Sequence, residues 1–196
     1  MSAEDRNHRH TTDIAFSDAV KEIQARLGSR DSMERLERSD TWPDEFGHEL
    51  SQALGETDSF FLATASADGQ PYVQHRGGEP GFVTIRDRRT AAFPDYAGNR
   101  HYITLGNLSE NPRCCILLID FRRAIRYKLW GDMSVENLDG PDRQLVFSLT
   151  TWDRNCPKYI PRRHDDADIR RATQRLQWRI DALETELAAL RGATDG

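Results

Sequence analysis

Short apolar runs, several of them alternating with polar residues, fill the middle of the chain and predict β-strands. The predicted strands are residues 59–66, 71–76, 82–86, 90–93, 113–120 and 125–135. The first two form a hairpin around Asp68-Gly69, and the almost continuously apolar run at 113–120 is typical of a central strand. With one short helix at 102–110, strands at these intervals favour an all-β barrel over a parallel α/β sheet.

Helical patterns lie on both sides of these strands. Residues 1–12 are polar and are predicted to form a disordered tail. Ser17 is a predicted N-cap of a helix that ends at Gly28, and residues 45–54 form a second helix, so two helices lead into the barrel. Trp42 and Phe46 are interpreted as packing anchors.

Two segments after the strands differ in pattern. Residues 142–148 are predicted to form a helix, whereas residues 151–163 are too rich in proline, aromatic and basic residues for regular structure. The predicted barrel domain, with its N-terminal helices, spans residues 13–164.

A long helix is predicted over residues 165–191, followed by a tail at 192–196. Its apolar residues recur with the 4-3 spacing of a coiled coil, and they are Ile169, Leu176, Ile180, Leu183, Leu187 and Leu190, with Thr173 in the same series. The stripe either packs on its own domain or joins two copies, and the projecting pattern favours self-association.

Composition narrows the function. The net charge of −5 argues against a general nucleic-acid binder but leaves room for a local basic pocket. Three cysteines, two of them adjacent at Cys114 and Cys115, do not form a disulfide framework or a zinc motif. No signal-like or membrane-spanning apolar run is present, so the expectation is a soluble cytoplasmic protein without a metal.

Clusters of glycine, asparagine and basic residues carry the candidate chemistry. No Walker loop, dinucleotide-binding glycine motif or nucleophile elbow is present. Gly77-Gly78 allows close approach by a flat ligand, while 98–100 and 106–107 offer backbone N–H groups, amides and a guanidinium to an anion. Each cluster alone is typical of a turn. Together with Arg76, Arg100 and Lys128 they favour an anion site.

From about residue 15 to residue 163 the chain resembles the pyridoxamine 5′-phosphate oxidase-like family of FMN-binding split-barrel proteins. The resemblance rests on the runs 74–78 with 80–83, Asp95 with 98–100, 105–108 with 111–112, 128–131 and 152–157. It implies a mainly β fold with flanking helices, and a homodimer that binds FMN in a cleft between two barrels. It also implies an oxidoreductase that transfers hydride through flavin N5 to or from a small molecule.

The resemblance also implies which residues meet the cofactor. Residues 74–78 would run beside the flavin ring, and the series 99–107 would lie near the phosphate and ribityl chain. Lys128 would meet the cofactor from the barrel, whereas Trp152 and Arg162 or Arg163 would reach it from the partner subunit. The implied cofactor-binding residues are Gln74, His75, Arg76, Gly77, Gly78, Asp95, Asn99, Arg100, Thr104, Asn107, Lys128, Trp152 and Arg162.

The chain departs from the vitamin B6 oxidases of this family at two places. Where they carry a Ser-Arg-Lys-like phosphate run, the sequence here reads 104–107 as Thr-Leu-Gly-Asn, and their C-terminal Arg-x-His-like substrate residues have no counterpart. Pyridoxamine phosphate is therefore a poor substrate candidate.

Three interpretations of the site stay open. The protein is an FMN oxidoreductase, a non-catalytic flavin or haem sensor of the same fold, or a structural dimer with a degenerate pocket. His75 is correspondingly a candidate proton donor, a haem ligand or a hydrogen-bonded wall residue.

Overall fold

The structure is a computed structural model that describes residues 10–39, 42–155, 158–164 and 166–194. It divides into two compact units. Of the described residues, the first unit holds those within 10–120 and 125–158, and the second holds those within 121–124 and 159–194. The domain boundary predicted between residues 164 and 165 stays a prediction.

Three helices precede the sheet. They are α1 (Asp18–Arg26), α2 (Arg30–Arg38) and α3 (His48–Glu56), after a short 3-10 helix at Thr11–Ile14. Ser17 caps α1 as predicted, because its hydroxyl accepts a hydrogen bond from Val20 N at 3.4 Å. The predicted tail lies mainly outside the described residues, but Thr12 is buried and belongs to the fold.

Seven antiparallel strands form one sheet in the order β2-β1-β5-β6-β7-β4-β3. The strands are β1 (Ser59–Ala65), β2 (Pro71–Gly77), β3 (Thr84–Ile85), β4 (Thr90–Pro94), β5 (Arg113–Asp120), β6 (Ile125–Glu136) and β7 (Gln144–Asn155). Helix α4 (Ile103–Glu110) connects β4 to β5. The fold is mainly β with flanking helices, as the sequence predicted.

The sheet curls around its own core. Phe60 on β1 and Phe93 on β4 have ring centroids 5.0 Å apart, although three strands separate them in the sheet order. Four steps across a flat sheet would span about 19 Å. The curl therefore brings the two halves of the sheet face to face, while β2 and β3 remain unpaired edges, as in a split barrel.

Tertiary pairing overrode two local predictions. Residues 142–148 lie mostly in β7 and not in a helix, and β7 extends through the segment judged irregular as far as Asn155. This 12-residue strand is held between β6 and β4, so sheet pairing outweighs local helical pattern. The sequence also missed α2, in which Met33 and Leu36 are the only apolar residues among many charged ones.

The N-terminal segment packs on the first unit through aromatic and backbone contacts. Trp42 stacks on Trp130 at 5.0 Å, which confirms its predicted packing role. Phe46 packs partly buried against the core, as predicted, and its N–H donates to Arg88 O at 2.7 Å. None of the described helices is both long and apolar enough to cross a membrane.

A β-bulge bends the longest strand pair at Gly131. The pairing shifts there, so that Thr150 of β7 is the extra residue between the partners of Trp130 and Gly131. A Cβ at Gly131 would lie 2.1 Å from Ser148 O and 2.8 Å from the Phe147 ring. The bend can therefore form only where no side chain is present.

We expect Gly131→Ala to lower the free energy of unfolding by about 1–3 kcal/mol, because the backbone or Phe147 must shift to admit the methyl group. Urea denaturation measures the change. Gly106→Ala in α4 is the control, since a Cβ there meets nothing within 4 Å, and it should be neutral or slightly stabilising. Equal destabilisation by both replacements would contradict this interpretation of the bulge.

Candidate functional site

A pocket opens between β2, the loop after β4 and the start of α4. It encloses about 420 Å³, part of it open to solvent. Six residues predicted from the sequence line it, namely Gln74, Arg76, Asp95, Asn99, Arg100 and Thr104. The structure thus brings the β2 part and the loop part of the predicted site together.

Asp95 joins two arginines in the wall of this pocket. One carboxylate oxygen accepts a hydrogen bond from Arg76 Nη1 at 2.5 Å, and the other accepts one from Arg143 Nε at 2.6 Å. The side chains are largely buried, with 10, 7 and 17 % of Arg76, Asp95 and Arg143 exposed. Arg76 lies on β2 and Arg143 immediately before β7, so the carboxylate links an edge strand to the other half of the sheet.

The start of α4 forms the opposite side of the pocket. Tyr102, the residue before the helix, and Arg100 both have positive φ angles, 54° and 59°. Such conformations are rare for residues other than glycine and tend to cluster at functional sites. They turn the chain so that the first N–H groups of α4 lie at the pocket, where a helix N-terminus favours negative charge.

Hydrogen bonds fix the polar side chains of this loop. Thr104 Oγ1 donates to Gln74 Oε1 at 2.9 Å, which ties α4 to β2. Asn99 Oδ1 accepts from His101 N at 3.2 Å and so stabilises the turn. The Arg143 guanidinium lies 5.8 Å from the centre of the Tyr102 ring, within cation–π range.

The pocket has an excess of positive charge. The lining contains one carboxylate, that of Asp95, and three guanidinium groups, which belong to Arg76, Arg100 and Arg143. Two positive charges therefore have no counter-charge within the lining. In addition, Arg76 Nε is buried and has no hydrogen-bond partner among the described residues. Buried donors without a partner are rare and costly, so this geometry suits an anionic ligand.

His75 and Lys128 lie elsewhere, on the outer face of the sheet. Successive side chains of a strand point to opposite faces, so His75 faces away from Gln74 and Arg76. The strand register places His75, Phe61, Leu117 and Lys128 side by side across β2, β1, β5 and β6. We call this set the outer row. It is partly open, with Phe61 38 % exposed and its ring 5.8 Å from that of His75.

The two adjacent glycines have contacts inside the chain. A Cβ at Gly78 would lie 2.8 Å from Phe82, and one at Gly77 would lie 3.0 Å from the His75 ring. A side chain at Gly78 would therefore displace Phe82, whereas one at Gly77 would require neighbouring atoms to shift by only a few tenths of an ångström.

Three further predicted residues lie outside the pocket. Asn107 is buried, and its amide donates to Thr64 Oγ1 at 2.9 Å. Trp152 belongs to the hydrophobic core and donates from Nε1 to Glu45 O at 2.9 Å. Arg162 is exposed and belongs to the second unit.

Sequence reasoning missed Arg143 and Tyr102. Arg143 lies within the segment 142–148 that was predicted to be helical, and only the pairing of β7 with β4 places it beside Asp95. A basic residue next to the Pro-Asp turn at 141–142 was the only signal. Tyr102 was counted as the start of a helix, and its left-handed conformation has no signature in the sequence.

The cysteines show no sign of reactivity. Cys114 and Cys115 carry free thiols in β5, as predicted, and burial raises the pKa of both, that of Cys115 to about 11. Because the thiolate is the reactive form, neither is a nucleophile near neutral pH. Cys156 lies outside the described residues.

A sequence-profile match shows the family to which this fold and pocket belong. The sequence profile of the pyridoxamine 5′-phosphate oxidase family matches residues 46–170. The chain belongs to this family. The match covers the whole sheet, helix α4 and the pocket, which confirms the resemblance seen in the sequence. No functionally curated protein sequence matches the chain.

Solved structures of several proteins are similar at low sequence identity. HupZ from Group A Streptococcus has 13 % identity and a TM-score of 0.46, covering 61 % of this chain and 99 % of its own. A Clostridium acetobutylicum protein of the pyridoxinephosphate oxidase family, related to general stress protein 26, has 13 % identity and a TM-score of 0.40, covering 55 % and 85 %. HutZ, the haem storage protein from Vibrio cholerae, has 19 % identity and a TM-score of 0.36, covering 53 % and 87 %.

Proposed function

We propose that this chain is an FMN-dependent oxidoreductase whose cofactor sites are shared between two copies. The observation that carries the proposal is the pocket beside α4. It has two uncompensated positive charges and the unpartnered Nε of Arg76, in a protein whose overall charge is negative. Its membership of the pyridoxamine 5′-phosphate oxidase family supports a flavin over other anionic ligands.

The phosphate of FMN fits the charge of this pocket. A phosphate monoester carries about −1.5 to −2 charges near pH 7 and offers several strong acceptor oxygens. Arg76, Arg100 and the first N–H groups of α4 would hold it, and Arg143 would add positive charge. Asn99 and Thr104 supply polar groups of the kind that bind ribityl hydroxyls.

The outer row would provide the surface for the flavin ring. Phe61 and Leu117 offer apolar area there, while Lys128 and His75 add polar groups at its two ends. This row and the pocket lie on opposite faces of β2. We therefore infer that a second copy completes each site, with the pocket of one chain meeting the outer row of the other.

The exposed apolar surface supports such a pairing. Val73, next to His75 on the same face of β2, is 60 % exposed, and Phe61 is 38 % exposed. Partly exposed apolar side chains grouped on one sheet face are typical of a protein interface. A second copy seated there would remove Val73 and Phe61 from water.

FMN, when bound, supplies hydride transfer at N5, and oxygen or a second small molecule completes the turnover. The protein's part is to bind and orient the cofactor, exclude water and place charge. Lys128 brings a positive charge to the outer row, and the imidazole of His75 is the candidate proton donor to a substrate. The substrate is a small molecule other than pyridoxamine phosphate.

Titration of the purified protein with FMN and with riboflavin tests the proposal. We expect FMN to bind at least ten- to a hundredfold more tightly, because each charge-assisted hydrogen bond to the phosphate contributes about 1.5–3 kcal/mol. The bound flavin should show a visible spectrum that bleaches on reduction. High salt should reduce the difference in affinity between FMN and riboflavin, because it screens the charge of the phosphate.

Other results would assign the site differently. Equal affinity for both flavins would mean that the pocket does not hold the phosphate. A Soret band after mixing with haem, with no uptake of FMN, would favour a haem binder with His75 as ligand. A bound flavin that no reductant bleaches would favour a sensor.

A further inference from the structure

The C-terminal helix α5 (Asp166–Thr194) presents an apolar seam to solvent. Every side chain from Ile169 to Arg191 is exposed. Helices in proteins gain most of their stability by packing an apolar face, so 23 consecutive exposed residues imply a surface that is covered in the assembled protein.

The exposed apolar residues form one continuous seam. They are Ile169, Leu176, Ile180, Leu183, Leu187 and Leu190, between 46 and 65 % exposed, and Thr173 completes the spacing. In heptad positions, Thr173, Ile180 and Leu187 occupy position a, and the remaining four occupy position d. A seam with Ile or Leu at two of three a positions and Ile or Leu at every d position is typical of helices that pair with each other.

The charges beside the seam select the orientation of the pair. In a parallel pair, each residue at position g faces the residue five places further on, at position e, of the other helix. Arg179 then faces Glu184 of the second copy, and Glu186 faces Arg191 of the second copy. Both kinds of contact are attractive, and two-fold symmetry repeats each of them.

An antiparallel pair has poorer charge matching. Aligning Ile180 with Leu183 of the other helix joins Arg179 to Glu186, but it also sets Arg170 opposite Arg191. Two arginines opposite each other repel, and two-fold symmetry repeats this contact at the other end of the seam. Charge complementarity thus favours the parallel arrangement.

We propose that α5 pairs with α5 of a second copy as a parallel two-stranded coiled coil. The partner is fixed by the chemistry of the seam, because identical helices place matched apolar residues at every d layer and opposite charges on both flanks. This pairing does not depend on the flavin proposal, since it uses no residue of the pocket or the outer row.

Crosslinking of the full-length protein tests the pairing. In a parallel coil, identical d positions meet, so Leu176→Cys should convert most of the protein to a disulfide-linked dimer in a glutathione redox buffer. In the antiparallel alignment, the two introduced thiols would lie about 16 Å apart along the helix axis, too far for a disulfide. Trp178→Cys, at the outward position f and 65 % exposed, is the matched control.

Charge reversal gives a second readout in the Leu176→Cys background. Arg179→Glu should reduce the yield of covalent dimer, and adding Glu184→Arg should restore it. Each single reversal creates an attractive contact within its own helix, Arg175 with residue 179 or Asp181 with residue 184, so lost yield cannot reflect a weakened helix.

The possible outcomes distinguish the parallel coiled coil from the alternatives. If Leu176→Cys crosslinks no more than Trp178→Cys, the proposal is overturned, whether or not the protein binds FMN. Failure of the double reversal to restore the yield would overturn the parallel orientation. Wild-type protein reports the background from the native cysteines in both measurements.

Discussion

Replacing Asp95 with asparagine should lower the free energy of unfolding by about 3–5 kcal/mol, because breaking a buried ion pair leaves uncompensated charge in the interior. Asp95 is 7 % exposed and bonds both Arg76 and Arg143, so one substitution removes the counter-charge of two largely buried guanidinium groups. Urea denaturation measures the loss, with the midpoint and slope fitted separately.

Glu136→Gln is the matched control for this experiment. Glu136 also bonds an arginine, Arg86, which follows β3, through two hydrogen bonds at 2.7 and 2.8 Å, but both side chains are exposed. Solvent screens such a pair, so its loss should change stability little. A comparable loss of stability in both variants would show that burial of the Arg76–Asp95–Arg143 cluster does not increase its contribution to stability.

Replacing Arg100 with alanine should weaken FMN binding by roughly ten- to a hundredfold, the effect of losing about 1.5–3 kcal/mol of charge-assisted hydrogen bonding. Arg100 is exposed at the rim of the pocket, so the replacement should leave the fold intact. Riboflavin, which has no phosphate, should bind both proteins equally. Arg113→Ala, at an exposed arginine outside the pocket, should affect neither ligand.

Mixing variants tests whether two chains share each site. Arg100→Ala and Lys128→Ala chains can be co-expressed with different tags and the mixed dimer purified. If the pocket of one chain meets the outer row of the other, the mixed dimer has one intact site and one with both defects. It should then bind half the FMN of the wild type with normal affinity. Mixed dimers that bind as weakly as either variant would mean that each chain forms its own site.

Local pattern was sufficient for most of the elements. The hairpin around Asp68-Gly69, the strand over residues 113–120, the short helix α4 and the long helix α5 all follow from signals within about ten residues of one another. Such local signals do not predict an element whose conformation depends on the strands that pair with it. Residues 142–148 look helical alone, yet they form a strand because β6 and β4 flank them.

The candidate site was likewise predictable only in part from local sequence. Motif order identified six of the residues that line the pocket, since each belongs to a run that resembles the family. Arg143 escaped detection because its partner, Asp95, lies 48 residues away and the two meet only through strand pairing. The sequence predicts that residues 74–78 all run beside one part of the ligand. Side chains alternate along β2, however, so these residues are divided between the two faces of the strand.

By itself, the sequence determined the family, the mainly β fold, the residue types of an anion site and the seam of α5. These properties depend on short-range spacing, which a chain carries before it folds. Only the tertiary structure decided that Asp95 holds two arginines together, that Arg76 Nε is left without a partner among the described residues, and that His75 and Lys128 lie in one row away from the pocket. Those facts depend on how the sheet curls and pairs, and long-range pairing has no signature in any single segment.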